Sequence, residues 1–159
     1  MMRSRVRLAR LRLAARGRLT VRGRAAVEPG VRIAVAPGAR VVLEDGCRLG
    51  AGARIEAAGG TVRIGAGARL GARSVLVAHA GIEVGAGAVV GEWAMVGDAE
   101  PTYGDPERPT RLQPLRTEPV RIGDRARIGA HAAVQAGATV PAGAVIGSYE
   151  VLTAPRRSA

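Results

Sequence analysis

The sequence predicts an all-β solenoid, a three-sided column of stacked parallel strands, and three observations carry that prediction. Ile122, Ile128, Val134, Val140, Ile146 and Leu152 stand at every sixth position. Small residues, Ala126, Ala132, Ala138 and Ala144, follow four places after the first four of them. Longer segments starting at residues 41, 62, 82 and 120 open alike, each with an aliphatic residue two places before the next. A helix repeats near 3.6 residues and a half-buried strand near 2, so a sustained period of six belongs to neither element alone. It suits hexapeptides that each form one flat face and a corner, three to a coil of about 18 residues, with the aliphatic side chain at the axis.

From the N-terminus, residues 1–24 hold nine arginines and no acidic residue. The run MMRSRVRLARLRLAARGRLT mixes them with Val6, Leu8, Leu11 and Leu13 and reads as an amphipathic helix or a frayed strand. Its two readings are a cap laid over the open first coil and a docking segment for an acidic membrane surface or partner. The solenoid is expected over residues 25–155, with coils at 41–60, 62–81, 82–101 and 120–139 whose corners bulge slightly. From Val62 to Ile82 is 20 residues, but from Ile82 to Val120 is 38, so about one coil of chain is inserted. The insert contains Pro106, Pro109, Pro114 and Pro119, which cannot continue a parallel ladder, and a loop is expected at about 97–119. Residues 156–159 form a short tail, where Pro155, Arg156 and Arg157 guard the last open strand edges.

Composition agrees with a slim interior. There is no Phe, and the only aromatic residues, Trp93, Tyr103 and Tyr149, are expected outside the column. Glycine follows the inward residue at Gly65, Gly85, Gly91, Gly123, Gly129 and Gly147, where a tight corner has no room for a Cβ. These corners account for the glycines better than a flexible linker or a phosphate loop does. The formal charge of +11 is an N-terminal property, since 15 arginines face 13 acidic residues after position 24. No aromatic residues interleave with the arginines, which argues against nucleic acid. Cys47 is the sole cysteine, in the small inward position four after Leu43, so it reads as core packing in a reducing, cytoplasmic setting. No run of 18 apolar residues is present, and the arginines are too many for a secretory signal.

The stretch PVRIGDRARIGAHAAVQAGATVPAGAVIG, residues 119–147, resembles the signature of the bacterial hexapeptide-repeat acyltransferases, particularly the sugar and polysaccharide O-acetyltransferases. The resemblance runs from about residue 27 to 153, and the proline-containing GDPERPTRLQP is similar to the family's loop. It implies a left-handed parallel β-helix, a homotrimer, acetyl-coenzyme A or another acyl-CoA as donor, no metal, and active sites in clefts between neighbouring prisms. In that family a histidine at the root of the loop takes the proton from the acceptor hydroxyl. In register the residue here is Pro101, which has no proton acceptor. His79, one coil earlier at the position matching Ala99, is then a surrogate base or a surface histidine. Asp98 and Glu100 flank the vacant position as weak bases or loop caps. The family's assisting asparagine maps to Ser74, which donates a hydrogen bond there or is a plain surface serine. The family's tail motif for the coenzyme is replaced by APRRSA, where Arg156 and Arg157 meet phosphates or merely solvate the end. His131 is expected on another face, and two histidines are one short of the three that a zinc site on this prism needs. The resemblance thus implies an acyltransferase, with a non-catalytic trimeric scaffold as the alternative.

Overall fold

A computed structural model describes residues 2–155. Helix α1 (Met2–Ala14) precedes the solenoid, whose first coil is β1 (Leu19–Val21), β2 (Ala26–Val27) and β3 (Arg32–Val35). The second is β4 (Arg40–Leu43), β5 (Arg48–Leu49) and β6 (Arg54–Ala57), and the third β7 (Thr61–Ile64), β8 (Arg69–Leu70) and β9 (Val75–Ala78). The fourth comprises β10 (Gly81–Val84), β11 (Val89–Val90) and β12 (Met95–Gly97). The inserted segment follows as β13 (Ala99–Pro101) and β14 (Leu115–Thr117), and two further coils run through β15 (Val120–Ile122), β16 (Arg127–Ile128), β17 (Ala133–Val134), β18 (Thr139–Val140), β19 (Val145–Ile146) and β20 (Val151–Leu152).

Every third strand stacks on the one before it. Three six-stranded sheets result: face A holds β1-β4-β7-β10-β15-β18, face B begins at β2, and face C begins at β3, with parallel pairing throughout. The column is a left-handed parallel β-helix of six coils. Its core is built from stacked files of aliphatic residues, one from each face, and on face C Ile33, Ile55, Leu76, Val96 and Val134 in successive coils are all buried. Ile122, Ile128, Val134 and Val140 are buried as the six-residue spacing predicts, while Ile146 and Leu152 in the last coil are half-buried.

The coils tighten along the column. The step between stacked partners is 22 residues from Leu19 to Val41, 21 from Val41 to Val62, 20 from Val62 to Ile82 and 18 from Arg121 to Thr139. Corner glycines permit the close stacking. A Cβ on Gly85 would sit 2.5 Å from the Asp124 backbone nitrogen in the next coil, so close approach between coils excludes a side chain there.

The first rung lies inside the arginine-rich segment, at Leu19, so the solenoid starts earlier than residue 25. Helix α1 occupies the place a preceding coil would take. Ser4 Oγ accepts from the Val27 N–H at 2.8 Å and the Arg7 guanidinium donates to the Val27 carbonyl at 3.2 Å, which satisfies backbone groups of the edge strand β2. Leu8 and Leu11 pack onto the core of the column, and Ala15 is buried.

Candidate functional site

The inserted chain leaves the column at the corner between faces C and A. It forms a two-stranded antiparallel ribbon in which Ala99 faces Thr117, Glu100 faces Arg116 and Pro101 faces Leu115. Beyond it lies a loop with one 3-10 turn at Thr110–Leu112. In the third coil the same corner is made by His79, Ala80 and Gly81, directly beneath the ribbon's root. The corner is low and tight because it rests on Gly59 and Gly60 of the coil below. A Cβ on Gly60, whose φ is +63°, would overlap the Ala80 carbonyl oxygen.

Asp98 holds this corner. Pairing of Val96 with Leu76 and of Gly97 with Val77 puts Asp98 above Ala78, in a column of small inward residues that also contains Ala57 and Ala136. Its carboxylate is fully buried and accepts three successive backbone N–H groups, from His79 at 2.7 Å, Ala80 at 2.8 Å and Gly81 at 2.6 Å. Three donors compensate the desolvation of a buried charge. The His79 imidazole lies over the same carboxylate, with Nδ1 buried, unbonded and 3.6 Å from Asp98 Oδ1. That distance is beyond a hydrogen bond, but the tautomer with its proton on Nδ1 aims it at the carboxylate. The side chain is one third exposed, at 33%, and Nδ1 lies on its covered side. A partly exposed histidine with a carboxylate behind one nitrogen has the other left to take a proton from a hydroxyl or amine.

Two clefts lie near the corner, lined by its neighbours and not by His79 or Asp98 themselves. On face C, Met95, Ala99, Glu100, Pro101, Tyr103 and Gln135 line a cleft of about 350 Å³ against the ribbon. On face A, Arg63, Gly81, Glu83, Pro119 and Arg121 line another of about 370 Å³. Glu100 therefore faces the first cleft, with Arg116 3.5 Å away, and Pro101 stands beside it. The sequence-derived candidates thus divide. His79, Asp98 and Glu100 gather at the ribbon's root, but Asp98 is buried with its oxygens committed to the corner. Ser74, expected at the surface beside the site, is instead buried at the other end of face C, where its hydroxyl donates to the Gly71 carbonyl at 2.8 Å. Arg156 and Arg157 lie outside the described residues. Tyr103, Gln135 and the Gly59–Gly60 pair were not singled out by sequence. An aspartate two places after the inward Val96, where other coils carry Ala57, Ala78 and Ala136, was the readable sign of a built corner.

His131 lies at a different corner, between faces B and C. It is stacked between Trp93, with centroids 6.1 Å apart, and Tyr149, at 4.9 Å, and Arg73 sits 5.0 Å over the Trp93 ring. All four have positive φ, from 55° at Arg73 to 64° at Tyr149. Among the described residues no cluster of three metal-ligating side chains exists.

A family model described as the hexapeptide repeat of succinyl-transferase matches residues 61–91 and 119–154, the coils on either side of the ribbon. The repeat that this model describes is thus present in the coils on both sides of the ribbon. No curated protein matches its sequence. Among solved structures, the chain is similar to a variant of AntD, an N-acyltransferase from Bacillus cereus, in complex with dTDP and coenzyme A. The TM-score is 0.70 at 17% identity, over 86% of this chain and 75% of that one. A second AntD variant in the same type of complex gives 0.67 at 20% identity, over 84% and 74%. AntD with dTDP and 3-hydroxybutyryl-CoA gives 0.53 at 18% identity, over 97% and 86%. At these identities the likeness is one of fold.

Proposed function

We propose that this protein is a coenzyme A-dependent acyltransferase whose acceptor is a hydroxyl of a sugar-type molecule, or an amine as the description of AntD implies for that enzyme. The observation that supports this most directly is the His79–Asp98 pair at the ribbon's root, near the clefts on faces A and C. Asp98 fixes the backbone of the corner and orients the imidazole, and His79 Nε2 takes the proton from the acceptor. The acceptor oxygen or nitrogen attacks the thioester carbonyl, the C–S bond breaks as the tetrahedral intermediate collapses, and the leaving thiolate takes a proton back from His79. Arg63 and Arg121 in the face A cleft suit the coenzyme's phosphates. A homotrimer, in which a neighbouring prism closes these clefts, completes the reading.

The test is acyl transfer from acetyl-CoA to a panel of sugar hydroxyls and nucleotide-linked amino sugars, followed by thiol release. His79→Ala is expected to lower kcat by about 10² to 10⁴ while acetyl-CoA still binds by calorimetry. Turnover equal to the parent's would remove His79 from the chemistry. A second reading, a non-catalytic scaffold, is favoured by Pro101 at the register of the family's histidine. Failure to bind acetyl-CoA at millimolar concentration would select it.

A further inference from the structure

Helix α1 is apolar on two opposite sides, and only one is used. At about 100° per residue, Ser4, Leu8 and Leu11 point at the first coil, where they meet β2 and the core. The opposite side carries Met2, Val6, Ala9 and Leu13, spaced four, three and four residues apart and therefore in one stripe. Met2 and Leu13 are each 82% exposed and Val6 is 50% exposed. Exposed arginines border the stripe on both sides, Arg3 and Arg10 along one edge and Arg5 and Arg12 along the other. Helix α1 holds no acidic residue. Covering the first coil explains the inward residues and Arg7, and also Arg12 in part, which donates to the Val21 carbonyl at 3.2 Å. It does not explain the outward stripe or the other three arginines.

We propose that α1 docks the protein on an anionic lipid bilayer, the Met2–Val6–Ala9–Leu13 stripe entering the interface while the arginine rows pair with lipid phosphates. An apolar strip a few side chains wide between two cationic rows matches the change from acyl chain to headgroup at a membrane surface. Nucleic acid would reward the arginines and leave the stripe in water. Among the described residues no helix is long and apolar enough to cross a membrane, so the contact is one of lying on the surface. The helix sits at the N-terminal end of the column, on the strands that begin faces A and B, and its outer side is open.

Flotation of the full chain with vesicles of phosphatidylcholine containing a third phosphatidylglycerol tests this directly. Binding is expected to the mixed vesicles, to be at least tenfold weaker to pure phosphatidylcholine, and to fall with added salt. The triple change R3Q/R5Q/R10Q should weaken it about a hundredfold, from about 1 kcal/mol per arginine. Val6→Ser with Leu13→Ser, at exposed positions that leave the fold intact by circular dichroism, should weaken it about tenfold or more. Absence of flotation with the parent chain overturns the proposal. So does binding that survives the serine changes and is matched by duplex DNA or polyglutamate, which would make the contact purely ionic. If the serine changes instead dissociate an oligomer and leave vesicle binding unaltered, the stripe belongs to a second copy of the chain. Because Val6 and Leu13 are remote from His79, acyl transfer to a soluble acceptor is expected to persist in these variants, so this test and that of the proposed reaction fail separately.

Discussion

Cys47 shows how one side chain reports the dryness of the column. It sits at the inward position that Ala68 fills in the next coil, fully buried, and burial pushes its thiol up from 9.0 to about 11, with the charges of Asp45 and Glu44 adding to the effect. A thiol whose folded value is raised stabilises the fold fully below the unfolded value, and the contribution is lost as pH climbs from about 9 through about 11. By pH 10.5 the loss is about 2 kcal/mol, or several degrees in Tm for a chain of this size. Cys47→Ala places in the column the residue its neighbours already carry, so its melting temperature should fall less than the parent's between pH 8 and 10.5. Parallel Tm-against-pH curves for the two proteins would show that the interior does not exclude charge there. The thiol should also resist alkylating reagents at neutral pH until the chain is unfolded. Asp98 is the contrasting residue. It is buried and polar, and it persists because three backbone donors replace water, which ties the geometry of His79 to the stacking of two coils.

At the scale of elements, the column and the ribbon separate structure from candidate chemistry. Pro101 and Leu115 close the antiparallel ladder, and Thr102 N–H donates to the Pro114 carbonyl at 2.9 Å just above it. The chain between Thr102 and Pro114 is almost entirely exposed and contributes nothing to the axial core. Replacing it with an Asn-Gly turn should leave Tm within a few degrees of the parent, because closing a shorter loop changes the entropy only slightly. Acyl transfer should fall, because Tyr103 and the outer wall of the face C cleft go with it. A large drop in Tm would show instead that the loop braces the solenoid. The sequence made the coils legible because every inward side chain is constrained by the same narrow axis, so Ile122 to Val140 repeat without exception. It did not show β13 and β14, whose AEP and LRT carry no alternation of buried and exposed residues. Nor did it show the corner ladder, since Arg73, Trp93, His131 and Tyr149 take a left-handed conformation that glycine adopts at Gly30 and Gly52 in the same column. The stacking of rings across successive coils offsets that backbone strain, and stacking between residues 18 or more apart leaves no local mark. Ser74 was misplaced for a related reason. Motif matching located it along the chain, but pairing of Val75 with Arg54 and Met95 turns its side chain inward at the corner before β9.

The whole molecule is a one-dimensional stack in which each coil touches only its neighbours, so the position of a defect along the axis matters as much as its chemistry. Leu76 lies in the third coil, fully buried, with Ile55 below and Val96 above. Leu152 occupies the same face in the last coil, with Val134 below, and is half-buried. Leu76→Ala removes the same atoms as Leu152→Ala but leaves a void between two coils that cannot collapse, because the strands are pinned by ladders on both sides. The expected cost is about 2 to 5 kcal/mol for Leu76→Ala and about 1 kcal/mol or less for Leu152→Ala, where solvent already reaches the site. Urea denaturation followed by circular dichroism compares them. Beyond the shift in midpoint, Leu76→Ala weakens the coupling between the first and second halves of the stack. Its transition should broaden, with an apparent m-value below the parent's, as the two halves begin to unfold separately. The end change should shift the midpoint slightly at constant m. A Leu76→Ala transition as steep as the parent's, with m unchanged, would mean that the coils unfold as one indivisible unit, and the nearest-neighbour account of this column would fail.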